Sequence, residues 1–229
     1  MSEDKMKILI INPNSNLDIT KAIQKTADEF AQGAFEAVCQ PTPGAPAFIE
    51  TYEDAVKAAP GMIQLVRENE DSYEAFIVAC HSDPHLDTIK EITKKPVVGI
   101  GEASMRMASM LGHSFSIVSD NTHSIPNKEF LVRQYHLQDA LASVRAPQAE
   151  WRGLSDEEKY LRTARLAIEE DRAEVVVLGC AAMTGLDKPL QKKLGVPVLD
   201  GVVCALIIAS GLVQYGVSTS KIRRYNPEG

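Results

Sequence analysis

Short apolar runs alternate with amphipathic stretches along the whole chain. The runs are four to seven residues long, as in buried strands, and the stretches carry apolar residues at helical spacing. The runs predict strands at residues 7–12, 34–40, 75–80, 96–100, 114–119, 142–146, 174–180 and 196–199. The stretches predict helices at residues 17–31, 52–69, 103–111, 128–135, 156–171 and 202–215, with a shorter one after a loop at 81–87. Strands that alternate with helices in this way indicate parallel α/β layers.

The alternation contains an internal repeat. Two heptapeptides, EAFIVAC at 74–80 and EVVVLGC at 174–180, lie 100 residues apart and both end in a cysteine. Three further pairs keep the same order at offsets of about 107, 106 and 101 residues: KILIINPNS with SFSIVSDNT, AFEAVCQP with ALASVRAP, and PVVGIGEA with PVLDGVVC. Four pairs in one order predict a duplicated four-stranded unit.

The predicted fold class is therefore α/β, with two pseudo-symmetric lobes that each hold a four-stranded parallel sheet flanked by helices. We assign residues 1–112 to the first lobe, which we expect residues 203–229 to rejoin, and residues 113–202 to the second. A pseudo-twofold axis would place equivalent strand ends opposite each other. Because ligands of parallel α/β sheets bind beyond the carboxyl ends of the strands, we expect the active site in the cleft between the lobes.

Composition and charge narrow the class of partner. The 229 residues are 45% hydrophobic and 24% charged, which is typical of a globular protein with a substantial core. A formal charge of −7 argues against nucleic-acid and membrane partners, because phosphate binding needs clustered Lys and Arg. The charged N-terminus does not resemble a signal peptide, and the longest apolar stretch is too short to span a bilayer. We expect a cytoplasmic homo-oligomer that acts on a small molecule.

The four cysteines are widely spaced and resemble neither a disulfide framework nor a zinc cluster. The repeat sets Cys80 and Cys180 apart, because each ends a buried strand just before a small or polar loop. A helix N-terminus beside such a strand end can lower a thiol pKa from about 8.5 toward neutrality, which predicts reactive thiols. Cys39 and Cys204 fall within a strand and an apolar helix, where core packing is expected.

Two mirrored thiols suit a racemisation. A thiolate on one face removes a proton from a carbon beside a carbonyl, and a thiol on the other face returns one, so the stereocentre inverts without a cofactor. The enolate oxygen that develops as the proton leaves needs hydrogen-bond donors. The candidate donors are the backbone N–H groups after each cysteine and the side chains of Asn14, Ser15, Ser82, Ser119 and Asn121.

The chain resembles the aspartate/glutamate/hydantoin racemase superfamily, and within it the hydantoin and allantoin racemase branch. The matching motifs cover almost the whole chain: INPNSN at 11–16, AC followed by DP at 79–84, LGCAAM at 178–183, GVPVLDGV at 195–202 and STSK at 218–221. The resemblance implies a pseudo-symmetric two-lobed α/β fold, racemisation without a cofactor, and acid/base roles for Cys80 and Cys180. We expect substrate-binding positions at Asn14, His81, Ser82, Ser119, Asp120, Ala181 and Ala182.

The sequence departs from the superfamily pattern beside both cysteines. His81 and Ser82 stand where an apolar residue and then a small or acidic residue are more usual, and His85 stands where Gly is common. Ala182 replaces the usual Gly of GCAGM. These changes leave the paired thiols in place, so they bear on the substituent that is recognised beside the stereocentre rather than on the type of reaction.

The loop after Cys80 also resembles a metal cluster. His81, Asp83 and His85 are three potential ligands within five residues, but the other histidines of the chain are scattered. We therefore expect no metal. His81 is expected to contact the substrate or to tune Cys80, and Asp83 to cap the turn that follows it.

Three other functions stay open at the level of sequence. A decarboxylase or cis-trans isomerase of the same superfamily keeps one thiol, whereas this chain has two. A catalytically silent binding protein would hold a small molecule without turnover. A Cys-His hydrolase is disfavoured because nothing marks a nucleophile elbow or an orienting acid. The sequence also leaves open which hydantoin, allantoin or amino-acid derivative is accepted.

Overall fold

The computed structural model describes residues 5–227. The first half of the chain consists of β1 (Lys7–Asn12), α1 (Leu17–Ala31), β2 (Glu36–Pro41), α2 (Tyr52–Asn69), β3 (Ala75–Val78), α3 (Leu86–Ile92), β4 (Val97–Gly99) and α4 (Ile100–Leu111). The second half consists of β5 (Phe115–Val118), α5 (Ile125–Gln134), β6 (Leu141–Arg145), α6 (Asp156–Glu169), β7 (Val175–Leu178), α7 (Asp187–Leu194), β8 (Val198–Leu199) and α8 (Gly201–Tyr215). Residues 1–4 and 228–229, which the lobe assignment included, lie outside the described residues.

The strands form two four-stranded parallel sheets, ordered β2-β1-β3-β4 and β6-β5-β7-β8. The second order is the first with every strand number raised by four, so the two halves share one topology. β1 and β3 pair with Ile10 opposite Ile77, and β5 and β7 pair with Ile117 opposite Val177. The predicted fold class, two parallel sheets flanked by helices, is confirmed.

Each central strand is apolar along its whole length because both of its faces are covered. A parallel sheet with helices on both sides requires continuous apolar strands rather than alternating ones. In β1, Ile8 and Ile10 point into one buried cluster, while Leu9 and Ile11 point into another on the opposite face. The second sheet likewise separates two buried clusters.

The last helix of each half packs on the sheet of the other half. Ala205 of α8 lies in the same buried cluster as Ile10 of β1, and Met105 of α4 lies in the same cluster as Phe115 of β5. The two helices also contact each other along the boundary between the halves. Because each sheet takes one covering helix from the other half, the two halves are packed against each other.

Several boundaries differ from those predicted. β3 ends at Val78 and β7 at Leu178, so Cys80 and Cys180 lie two residues beyond their strands rather than within them. The helix α7 was not predicted, because it is only eight residues long and three lysines and Pro189 interrupt its apolar spacing. No helix in the described part of the chain is both long and apolar enough to cross a membrane.

Candidate active site

A cavity of about 730 Å³ opens at the carboxyl ends of the central strands of both sheets. The first half contributes residues between positions 49 and 55 and between 80 and 84. The second half contributes residues between 120 and 134 together with 179 and 180. The cavity therefore lies in the cleft between the halves, where polar loops follow β3, β5 and β7.

Cys80 and Cys180 both line this cavity, one from each half. Each thiol accepts a hydrogen bond from the backbone N–H two residues further on, which belongs to Ser82 for the first and to Ala182 for the second. The Sγ atom of Cys80 also lies 3.2 Å from the hydroxyl oxygen of Ser82. Equivalent strand ends thus present two thiols, in matching backbone environments, to one space.

The prediction that helix N-termini lower the pKa of both thiols is wrong. Burial raises the pKa of Cys80, and burial together with the nearby carboxylate of Asp120 raises the pKa of Cys180 to about 12. The loops explain the difference, since Cys80 is followed by a turn before α3 and Cys180 by a single 3-10 turn. Neither thiol therefore lies at the first turn of a long helix, where the dipole acts most strongly.

Lys128 is a buried, charged residue of the cavity that sequence reasoning missed. Its side chain is only 5% exposed, it lines the cavity, and its ammonium group donates a 2.7 Å hydrogen bond to the carbonyl oxygen of Gly179. A signal was present, because Lys128 shares the inner face of α5 with Leu131 and Val132 at helical spacing. A lysine at an apolar position of an amphipathic helix is a buried charge, and such a charge is rarely buried without a compensating partner nearby.

Gly179, the residue before Cys180, has no room for a side chain. A Cβ atom there would lie 2.7 Å from the carbonyl oxygen of Val118, 2.8 Å from Cγ2 of Ile117 and 3.1 Å from Cε of Lys128. Glycine at this position therefore lets the Lys128 side chain pass against the backbone that carries the second thiol.

His81 is fully buried and only partly satisfied. Its Nε2 atom lies 3.4 Å from the hydroxyl of Ser104, and its Nδ1 atom has no hydrogen-bond partner among the described residues. Burial, aided by the charge on Lys128, lowers the pKa of His81 well below the usual range, so the imidazole is neutral. Since His81 lines the cavity, its ring is a candidate partner for a polar group of a ligand.

His81, Asp83 and His85, which resembled a metal cluster in the sequence, form hydrogen bonds with different partners. Asp83 accepts hydrogen bonds from the backbone N–H groups of Gly101 and Glu102, at the start of α4, so it caps that helix rather than the turn that follows it. His85 bonds through Nε2 to the carbonyl oxygen of Ala55 at 2.7 Å. Burial raises the pKa of Asp83 to about 7 against the opposing effect of these donors.

The remaining predicted substrate positions divide into two groups. Ser82 and Asp120 line the cavity together with His81. Asn14, Ser119, Ala181 and Ala182 are absent from its lining within the described chain. Asn14 instead accepts a bond from the backbone N–H of Asn16, and Ser119 donates to the carbonyl oxygen of Asn121. Their contact with a substrate stays a prediction.

Among the described residues, one hydrogen bond joins the halves at the rim of the cavity and another joins them beside it. The hydroxyl of Tyr52, on α2, donates to Asn127, on α5, at 2.7 Å, and the hydroxyl of Tyr135, just after α5, donates to Asp83 at 2.7 Å. The first bond lies in solvent at the rim, since Tyr52 is 79% exposed, whereas Asp83 is buried. The second bond therefore contributes more to holding the walls in place.

Comparison with known proteins assigns the chain to a family. The family model for Asp/Glu/Hydantoin racemase matches residues 8–209. The chain is 39% identical to the hydantoin racemase of Paenarthrobacter aurescens, with 96% of each chain covered. It is 38% identical to the hydantoin racemase of Pseudomonas sp. (strain NS671), with 96% of this chain and 91% of that one covered. Its structure is similar to that of an allantoin racemase from Pseudomonas fluorescens, with a TM-score of 0.90, 35% identity and 96% of each chain covered. These relatives are isomerases, the predicted resemblance is confirmed, and the chain belongs to the Asp/Glu/hydantoin racemase family.

Proposed function

We propose that this protein is a cofactor-independent racemase that inverts the stereocentre of a 5-substituted hydantoin by proton transfer between Cys80 and Cys180. The observation that carries the proposal is that these two thiols, from equivalent places in the two halves, line one cavity. The relatives support the substrate class, because their names are hydantoin racemase and allantoin racemase. Allantoin is itself a hydantoin with a ureido group at C5, so one site that recognises the ring can serve both.

The chemistry needs one thiolate and one thiol. The thiolate takes the C5 proton, and the electron pair of the C–H bond moves to the neighbouring carbonyl oxygen, which becomes an enolate. The thiol on the opposite face then donates its proton to C5, the enolate collapses to the carbonyl, and the donor is left as the new thiolate. Each cysteine is the base for one enantiomer and the acid for the other, so no oxidant, reductant or external acid is consumed.

The cavity has room for a substituent as well as a ring. Ligand pockets of 300–1,000 Å³ hold drug-sized molecules, so about 730 Å³ exceeds the space that one five-membered ring fills. Tyr52 and Phe130 line the cavity and are 79% and 62% exposed, which places both aromatic side chains at its rim. Polar side chains beside the thiols can bind the ring amides, while the rim contacts the C5 substituent.

The test is a screen of single enantiomers in deuterated water, with optical rotation and deuterium content followed together. Enantiopure allantoin, several 5-substituted hydantoins, aspartate and glutamate are the substrates, and an arylmalonate-type acid is assayed for release of CO₂. We expect at least one hydantoin to lose its rotation and to gain one deuterium at C5, while the amino acids are unchanged. Release of CO₂ from an arylmalonate-type acid, or tight binding of a hydantoin without exchange, would contradict the proposal in favour of a decarboxylase or a binding protein.

A second expectation concerns the neutral ring of His81. The variant His81→Phe keeps a buried aromatic ring and removes both nitrogen atoms. We expect KM for the accepted hydantoin to rise about tenfold, with a smaller change in kcat, because a ligand group loses a buried hydrogen-bond partner. Steady-state kinetics on the folded variant measure the effect.

His113→Phe is the matched control for this variant. His113 is exposed and precedes β5, at the end of the second sheet opposite the cavity. Its kinetics should equal those of the wild type. If His81→Phe also leaves KM unchanged, the Nδ1 atom of His81 does not bind the substrate.

A further inference from the structure

We propose that Lys128 is the fixed counter-ion of the single negative charge that moves between Cys80, the substrate and Cys180 during turnover. The inference rests on the proposed function for its enolate step, but its central claim concerns the thiols of the free protein. Lys128 takes no part in the proton transfers of the two-thiol mechanism.

The first observation is that Lys128 is a buried cation without an acidic partner. Its side chain is 5% exposed, and no carboxylate within residues 5–227 forms an ion pair with it. The carbonyl oxygen of Gly179 satisfies one of its three N–H donors. Burying an ammonium group is costly unless an anion compensates it. The compensating anion is therefore expected to be one that forms in the cavity.

The second observation is that Lys128 lines the same cavity as both thiols. Its hydrogen bond to Gly179 ties the ammonium group to the residue next to Cys180, while Cys80 lies across the same cavity. The positive charge favours the thiolate of both cysteines. Among the described residues that line the cavity, Lys128 is the one Lys or Arg.

The charge count explains why one cation suffices. Before the reaction the negative charge is on one thiolate, after the first proton transfer it is on the enolate oxygen, and after the second it is on the other thiolate. The total never exceeds one negative charge, so one ammonium group balances every state. A cation that lines the same cavity as both thiols also serves both directions of a racemisation, in which neither thiol can be the permanent base.

Other ionisable groups near the thiols do not replace this cation. Those that face the thiols and Lys128 are His81 and Asp83 from the loop after β3, Asp120 and His123 from the loop after β5, Glu50 from the segment before α2, and Tyr160 from α6. Asp83 opposes formation of the Cys80 thiolate, Asp120 opposes formation of the Cys180 thiolate, and His81 is neutral. Burial outweighs Lys128 in the free protein, because the pKa of Cys180 stays at about 12, but Lys128 is the charged side chain that favours the thiolate of both cysteines.

The test compares alkylation of the thiols in Lys128→Met, Lys128→Arg and the wild type. Iodoacetamide reacts with thiolates, and peptide mass spectrometry reports Cys80 and Cys180 separately, with Cys39 and Cys204 as buried internal references. At one fixed pH we expect Lys128→Met to slow alkylation of both cavity cysteines about tenfold, because a neighbouring positive charge is lost. Lys128→Arg should recover most of the rate, since the charge remains.

Lys188→Met is the control for removal of a lysine. Lys188 is 78% exposed and lies outside the cavity lining, so alkylation should be unchanged. If Lys128→Met lowers the melting temperature but leaves both alkylation rates unchanged, Lys128 only supports the Gly179 backbone and the proposal is overturned. Alkylation uses no substrate, so this result is independent of whether hydantoins are turned over.

A measurement on the wild type covers the case in which Lys128→Met does not fold. With ¹³C-labelled lysine, the Cε signal of Lys128 should shift as the cavity thiols ionise during a pH titration. After both thiols are blocked with iodoacetamide, that step should vanish. A titration curve that is the same before and after blocking would show that Lys128 does not sense the thiolates and would refute the proposal.

Discussion

Replacing Cys80 or Cys180 by serine should abolish most of the racemisation and leave hydrogen exchange in one enantiomer only. A serine hydroxyl is a far weaker acid than a thiol, so the proton transfer on that face loses its catalyst, which is worth about 10²–10⁴-fold. The remaining thiolate can still remove a proton from the enantiomer that faces it and return a solvent proton to the same face. The two variants should therefore exchange opposite enantiomers.

The measurement is deuterium incorporation into each enantiomer, followed by NMR beside optical rotation. Cys39→Ala is the control, because Cys39 is buried in the core of the first sheet, away from the cavity lining. Its kinetics should match those of the wild type. If either cavity variant racemises both enantiomers at the wild-type rate, the two-thiol mechanism is wrong.

The variant Gly179→Ala should lower both stability and activity. The new methyl group would meet the backbone oxygen of Val118 and the side chains of Ile117 and Lys128 at 2.7–3.1 Å, so the strand end or Lys128 must move. Overpacking of this kind costs about 1–3 kcal/mol in the free energy of unfolding. Because Gly179 precedes Cys180 and holds Lys128, the displacement also reaches the thiol, and we expect kcat to fall on the order of 10²-fold.

Thermal melts and steady-state kinetics test this pair of effects, with Gly211→Ala as the control. Gly211 lies within α8, and a Cβ atom added there has no neighbour within 4 Å. Alanine at that site should raise the free energy of unfolding by about 0.5–1 kcal/mol through better helix propensity, without changing kcat. If Gly179→Ala melts and turns over like the wild type, the crowding around Gly179 has no consequence.

The repeat was readable in the sequence because both halves need the same local patterns. A strand buried between two layers of helices must be apolar throughout, so β1, β3, β5 and β7 appear as short apolar runs. The helix α7 was missed because its apolar spacing is short and broken by lysines and a proline. Residues 203–229 are expected from the sequence to rejoin the first lobe, but the sequence does not predict that α4 packs on the second sheet, since an apolar helix face does not indicate which of two similar sheets it covers.

In the candidate site, too, some features could be predicted from the sequence and others are visible only in the folded chain. The two thiols could be named from sequence, because a cysteine after each of two repeated strands marks equivalent places. Another part of the lining comes from α5, the first turn of α2 and the segment before α2, which are distant from the thiols in sequence and meet them only in the folded chain. His81 could be singled out as unusual, but its unpartnered nitrogen is visible only from its surroundings.

The sequence by itself determined the parallel α/β class, the duplication and the pairing of Cys80 with Cys180, because these depend on patterns that are local to each strand. Only the tertiary structure decided the electrostatics around them. The pKa of a thiol depends on burial and on every nearby charge, and these come from separate parts of the chain: Asp120 after β5 and Lys128 on α5. For that reason the sequence predicted thiols acidified by helix ends, whereas the fold buries both thiols and sets one lysine beside them.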